Sequence, residues 1–168
     1  MLKVFSKSAE NRKLVSRLNA ATVARARERV FFTTFGVPDT IDGRFDLLAL
    51  HAWLVLDRLR GAGLGDISQG LMDTIFTGFD EGLRDLGAGD MTIAKRIKML
   101  ADAFYGRLRA YDASEDPAAM TDAIQRNLYR GSGDAAHAQA VARYVESARA
   151  HVGRSDVARG EVDFGPLP

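Results

Sequence analysis

Three histidines, His51, His137 and His151, are the imidazoles with which this chain could bind a metal or move a proton near neutral pH. His137 and His151 stand 14 positions apart and His51 is remote from both, so no H-E-x-x-H array or comparable ligand spacing exists. The 168 residues contain no cysteine, which excludes thiolate zinc sites, iron–sulfur clusters, disulfides and cysteine nucleophiles and fits a reducing compartment. Carboxylates are plentiful, among them Asp39, Asp42, Asp46, Asp73 and Asp80, and clustered like charges can tune acid–base groups. No nucleophile or oxyanion stabiliser is paired with them, and a solvated surface accounts for them more simply. Gly61-Ala62-Gly63-Leu64-Gly65 has the glycine density of a phosphate-cradling loop, but it follows a helical pattern and lacks both a preceding strand and a Lys-Ser/Thr pair. The one enzymatic option left is His51 with a carboxylate. The competing account is a core histidine whose ring nitrogens are satisfied by neighbours.

The elements that would position these groups are helical throughout, since apolar residues recur at helical spacing and alternating strand patterns are absent. A helix is expected from Ser8 to Phe35, bent near Asn19 and Ala20, with Val23, Ala24, Ala26 and Val30 facing inward. The turn-rich run Val37-Pro38-Asp39-Thr40-Ile41-Asp42-Gly43 follows. A helix over about 44–60 is apolar almost all round and belongs at the centre of a core. Next come a helix over about 68–86, a stop at Gly87-Ala88-Gly89 with Asp90 as N-cap, and a helix to about Tyr111. Gly106 inside that helix suggests close approach by another backbone. Two more helices, 117–129 and 135 to about 151, are divided by Gly131-Ser132-Gly133, and the last carries a small-residue stripe of Ala138, Val141, Ala142, Val145 and Ala148. The expected fold is all-α: a single compact domain of six to seven helices, with a basic amphipathic segment over 1–22, the main body over 23–152 and an extended, less ordered tail over 153–168 whose Phe164 can dock on the body.

Hydrophobic residues make up 46% and charged residues 27% of the chain, and the net charge is +1, so wholesale attraction to nucleic acid is not indicated. The charge is nevertheless sorted. Residues 1–35 carry +6, 36–90 carry −6, 91–113 carry +3 and 114–168 carry −2. Asp73, Asp80, Glu81 and Asp85, with Arg84, share much of one side of the helix over 68–86, and Lys95, Lys98 and Arg109 share one side of the next, so the two helices are candidates for an antiparallel pair. The longest apolar stretch, Leu47 to Leu56, is half the ~20 residues needed to span a bilayer. The N-terminal segment lacks the apolar core and cleavage site of a secretion signal. Its Leu2, Phe5, Leu14, Val15 and Leu18 among Lys3, Lys7, Arg12, Lys13 and Arg17 suit either an anionic lipid surface or a frayed, solvated helix.

Several motifs go beyond what composition requires: Val37-Pro38-Asp39-Thr40-Ile41-Asp42-Gly43-Arg44-Phe45 running into Leu50-His51-Ala52-Trp53-Leu54-Val55-Leu56; Phe79-Asp80-Glu81-Gly82-Leu83-Arg84-Asp85-Leu86-Gly87-Ala88-Gly89-Asp90; Lys95-Arg96-Ile97-Lys98-Met99; and Ala103-Phe104-Tyr105-Gly106-Arg107. In this order and spacing they resemble the ubiquinol–cytochrome c chaperone family, whose members assist assembly of the cytochrome bc complex. The resemblance covers about Val23 to Tyr129, with mild departures at Thr77-Gly78-Phe79 and Gly87-Ala88-Gly89-Asp90. It implies a helical, non-enzymatic assembly factor that binds newly made cytochrome b at the inner face of the membrane; mitochondrial relatives work with a small partner near the ribosomal tunnel exit. The Arg-rich composition, short length and lack of a transit peptide are more like a bacterial member. Cytoplasmic residence follows, with peripheral attachment to the membrane as an extension.

On this basis the partner-binding candidates are Asp42, Arg44, Asp73, Asp80, Glu81, Arg84, Asp90, Lys95, Lys98, Tyr105 and Arg107. Cytochrome b is the expected client, with the ribosome or an anionic membrane as further partners. No DNA partner, small-molecule substrate, metal or cofactor is called for. The alternatives are an adaptor for RNA or lipid surfaces working through residues 1–35 and 91–113, and a metal-independent enzyme built on His51.

Overall fold

The structure, a computed structural model, describes the backbone of residues 2–85 and 90–167 and the side chains of residues 8–85 and 92–167. Among these residues it contains α-helices and one 3-10 turn and no strand: α1 (Leu2–Ala26), α2 (Arg29–Thr33), α3 (Ile41–Gly61), α4 (Gly65–Asp85), α5 (Asp90–Asp112), α6 (Pro117–Asn127), α7 (Ala135–Arg154) and the 3-10 turn Val157–Arg159. The all-helical expectation holds. The stop at Gly87-Ala88-Gly89 lies outside the described residues.

α3 is the axis of the molecule because its sequence leaves it no wet face. From Phe45 to Leu56 every residue except half-buried Leu48 is buried, and α1, α4, α5 and α7 all pack on it. Its start is fixed by Thr40, whose hydroxyl accepts a hydrogen bond from the Gly43 amide at 3.1 Å. Gly43 is required there, since a Cβ would fall 2.0 Å from the Pro38 carbonyl oxygen. The turn chemistry read at 37–43 is thus the device that aims α3 into the core.

α1 runs without the bend expected near Asn19 and Ala20. Neither residue breaks helical hydrogen bonding, and the buried Thr22 hydroxyl donates to the Leu18 carbonyl at 2.7 Å. The chain leaves the helix at Arg27, whose amide is shared between the Val23 and Ala24 carbonyls, and Glu28 is extended. Val15, Leu18, Thr22 and Ala26, three or four positions apart, form the buried stripe, while Ala24 is exposed. Leu14, Val15 and Leu18 therefore serve the core rather than a lipid surface; the side chains of Leu2 and Phe5 lie outside those described.

α6 and α7 pack together, and α7 also lies on α3. Asp116 caps α6 through the Ala119 amide and Asp134 caps α7 through the Ala136 amide. The small-residue stripe of α7 is buried, as its spacing implied. Beyond Arg154 the chain is extended apart from the 3-10 turn, and Phe164 docks with only 4% of its surface exposed.

Candidate functional site

His51 does not open into a cleft. Its ring is fully buried; Nδ1 lies 2.8 Å from the Leu47 carbonyl and Nε2 lies 2.9 Å from the Tyr144 hydroxyl. A carbonyl can only accept, so Nδ1 carries the proton and donates to Leu47, and Nε2 accepts from Tyr144. Phe31, Tyr144 and Phe164 surround the ring with centroids 5.2–5.8 Å from its own or from each other. Burial pulls the His51 pKa down from 6.5 to about 4, so the imidazole is neutral at physiological pH. Both nitrogens are satisfied and no substrate can reach either. The tail seals the seam: Arg25 donates to the Gly165 carbonyl and its guanidinium sits 5.5 Å from the Phe164 ring centroid, while Asp163 meets His151 Nδ1 at 3.2 Å and its amide donates to Ser155 Oγ at 2.9 Å. His137 stacks on Tyr129 instead. Among the described residues no three histidine or carboxylate side chains stand close enough to share a metal ion.

A second polar centre is one that sequence reasoning placed on the surface. Asp46 is buried in α3 and is held by Arg107 of α5 at 2.6 Å and by Arg130, from the turn after α6, at 3.3 Å. Arg130 also reaches Asp42 at 3.3 Å. Arg107 has only 14% of its side chain exposed, and its guanidinium lies 5.0 Å from the Phe45 ring centroid, so this candidate points into the fold and braces α5 against α3. The pattern offered no sign of the pairing, because the partners lie 61 and 84 positions away.

The remaining candidates fall on two helix faces. On α4, Asp73 accepts from Gln69 at 2.7 Å, Asp80 pairs with Arg84 at 2.8 Å, and Glu81 and Asp85 are exposed. On α5, Lys95, Lys98 and Arg109 are exposed beside Met99, which is 61% exposed. Tyr105 is turned back, stacking near Phe76 and donating to Met72 Sδ at 3.7 Å. Arg44 is held by Asp39 at 2.7 Å outside the N-terminus of α3. Asp90 opens α5, with its side chain outside those described. α4 and α5 do pack together, through Phe76 and Phe104 with centroids 5.4 Å apart, but among the described residues no ion pair joins the acidic face of one to the basic face of the other. Gly106 has open space where a side chain would stand, so it marks no close approach within the fold.

Between α1, α3, α4 and α5 lies a groove of about 330 Å³ whose walls are largely apolar, including Val23, Phe45, Leu48, Ile75, Phe79 and Leu100. Ile41 stands at its edge, 75% exposed. Gly78 and Gly82, one helical turn apart on α4, line it with nothing within 4 Å of a Cβ built on either. Each glycine in a helix interior costs about 1 kcal/mol relative to alanine, and the intramolecular packing gives no return for it. Their spacing beside Phe79 and Leu83 was visible in the sequence; the empty space in front of them was not.

Comparison with known proteins agrees with this architecture. The family model described as Ubiquinol-cytochrome C chaperone matches residues 33–159. That range starts later than the resemblance read from motifs and runs on through α7 and the 3-10 turn, which matched no recognised pattern. A Xenopus laevis protein called ubiquinol-cytochrome-c reductase complex assembly factor 1 is 23% identical over 116 residues, a stretch covering 67% of this chain and 58% of the frog protein. The crystal structure of the Cbp3 homolog from Brucella abortus superposes with a TM-score of 0.83 at 36% identity, over 97% of both chains. With three-quarters of its length under the family model and nearly all of it sharing the fold of that homolog, the chain belongs to the ubiquinol–cytochrome c chaperone family.

Proposed function

We propose that this protein assists assembly of ubiquinol–cytochrome c reductase by holding newly made cytochrome b, and that it does so without catalysis. The observation that carries this reading is the family fold over almost the whole chain, together with a molecule whose one buried histidine is sealed while an apolar groove stays open. A membrane-protein client presents apolar helices with basic flanks retained on the inner side. The acidic face of α4, with Asp73, Asp80, Glu81 and Asp85, is suited to receive such flanks, and Asp42, Arg44, Arg84 and Asp90 border the same region of sequence and fold. Tyr105 and Arg107 contribute by bracing α5. No helix among the described residues is long and apolar enough to cross a membrane. Cytoplasmic residence with attachment at the inner membrane face is part of the proposal because the basic flanks of the client are retained on that side.

A strain lacking the gene is expected to lose assembled bc complex, and the tagged protein to recover cytochrome b from membranes. Unchanged complex in the deletion strain together with no recovery of cytochrome b overturns the reading. A second reading, an adaptor for anionic lipid or RNA, draws on exposed Lys95, Lys98 and Arg109 around Met99 and on the basic residues of 1–35. Phosphate-driven binding weakens steeply with salt. Recovery that survives high salt favours the client reading, and the Lys98→Glu variant locates any attachment through α5.

A further inference from the structure

Gly70, Thr74, Gly78 and Gly82 follow one another at intervals of four, so they line a single stripe along α4. The first half of that stripe is occupied. Val15 of α1 sits 3.0 Å from where a Cβ on Gly70 would be, so the small residue lets α1 come close. Further along, α1 forms the facing wall of the groove through Asn19, Val23 and Ala26, and the second half of the stripe, at Gly78 and Gly82, has no atom within 4 Å of a Cβ built on either glycine. Close helix packing thus uses only the first half of the small-residue stripe.

From this geometry we infer that the Gly78–Gly82 half of the α4 stripe seats one apolar helix of the client, packed close against α4 as α1 is at Gly70, with the basic flank of that helix against Glu81 and Asp85. The inference rests on the assembly-factor reading and deepens it. Three observations select the occupant. Small residues four apart permit close helix–helix approach, the packing mode of membrane-spanning helices. The walls are apolar, and exposed Ile41 extends them. Glu81 stands three residues from Gly78, and Asp85 three from Gly82, so both carboxylates border the stripe; both are exposed, and among the described residues neither is in an ion pair. The opposite wall brings Arg27 and Arg44, of which Arg44 is already neutralised by Asp39 at 2.7 Å. Two carboxylates on the α4 side stand against Arg27, among the described residues the one unpaired arginine across the groove, so the balance beside the glycines is one negative charge, which complements a Lys- or Arg-flanked helix seated on the α4 side. At about 330 Å³ the groove takes the side chains of one helix face rather than a whole helix.

The test uses the full chain and a labelled Leu/Ala peptide of about 20 residues ending in three lysines, read by fluorescence anisotropy in mild detergent. A twin peptide ends in three glutamates. The wild type is expected to prefer the lysine peptide, the Glu81→Lys/Asp85→Lys variant to lose that preference, and Gly78→Leu/Gly82→Leu to bind at least about tenfold more weakly. Because the space over both glycines is open and leucine is the better helix former, that last variant should melt no lower than wild type, and Gly78→Ala or Gly82→Ala about 2–4 °C higher each. Equal binding by the leucine variant, or equal affinity for the two peptides, overturns the seat. In cells, a deletion strain whose bc complex returns equally with wild type and with the leucine variant overturns the seat while leaving the assembly role standing. A deletion that leaves the complex intact overturns the assembly role itself.

Discussion

The two halves of α3 border two different kinds of surface. Around His51 every polar atom of the ring has a partner, three aromatic rings close the space, and the tail is pinned across the outside by Arg25, Ser155 and His151. Beside Phe45 and Leu48, less than two turns earlier, the walls are equally apolar but enclose an open groove, and α4 offers two glycines to empty space. The lesson is that burial of a titratable group is no guide to function here. The chemically suggestive residue lies in the finished region, and the chemically plain groove is the unfinished one.

Breaking the boundary between these regions should have the largest effect. Arg107→Leu leaves the buried Asp46 carboxylate with only the half-exposed Arg130 and removes the guanidinium from the Phe45 ring. A loss of about 3–5 kcal/mol is expected in urea unfolding, and a loss under 1 kcal/mol would show that the pair does not brace α5 on α3.

The closed region is sharpened by pH. His51 has a folded pKa of about 4 against 6.5 when unfolded, so on acidification the unfolded chain takes up the proton first. Its contribution is full above pH 6.5 and declines as the pH falls towards 4, by about 3 kcal/mol in all. His51→Leu, which strands the Tyr144 hydroxyl and is less stable at pH 7, should lose less stability over that interval than wild type does. Identical pH profiles would mean that another group carries the acid sensitivity.

The smallest effect on stability is expected on the open side. Ile41 is 75% exposed, so Ile41→Ser should change unfolding free energy by less than about 0.5 kcal/mol. Recovery of cytochrome b should nevertheless fall, and a variant that loses stability while keeping the client would place Ile41 with the core instead of the groove.

What the sequence disclosed and withheld divides along physical lines. Helix number and the central place of α3 rest on local spacing and were legible, whereas the caps at Thr40, Asp116 and Asp134 were not singled out. So was the charge layout of α4 and α5. Asp46 was not, because a carboxylate in an apolar run is explained only by Arg107 and Arg130, and nothing local pairs residues so far apart. The course of α1 was misplaced because a bend was read into Asn19 and Ala20, although the chain turns at Arg27, whose amide is shared between two carbonyls, and at extended Glu28. The family match extends through α7, whose alanine and valine stripe suits any close helix contact and so carried no distinctive motif. The groove arises from how α1, α3, α4 and α5 come together, and that relation exists only in three dimensions.

The latch over His51 also bears on how this protein is made. His51 bonds to Tyr144 across 93 positions, and Phe164 arrives later still. Local helices can form as the chain emerges, but the His51 face of α3 lacks its last cover until residues 144 and 164 have been made, and such distant closures are slow compared with neighbouring-helix docking. During its own synthesis this chaperone-family protein is itself an unfinished chain with one face of its most apolar helix in need of cover.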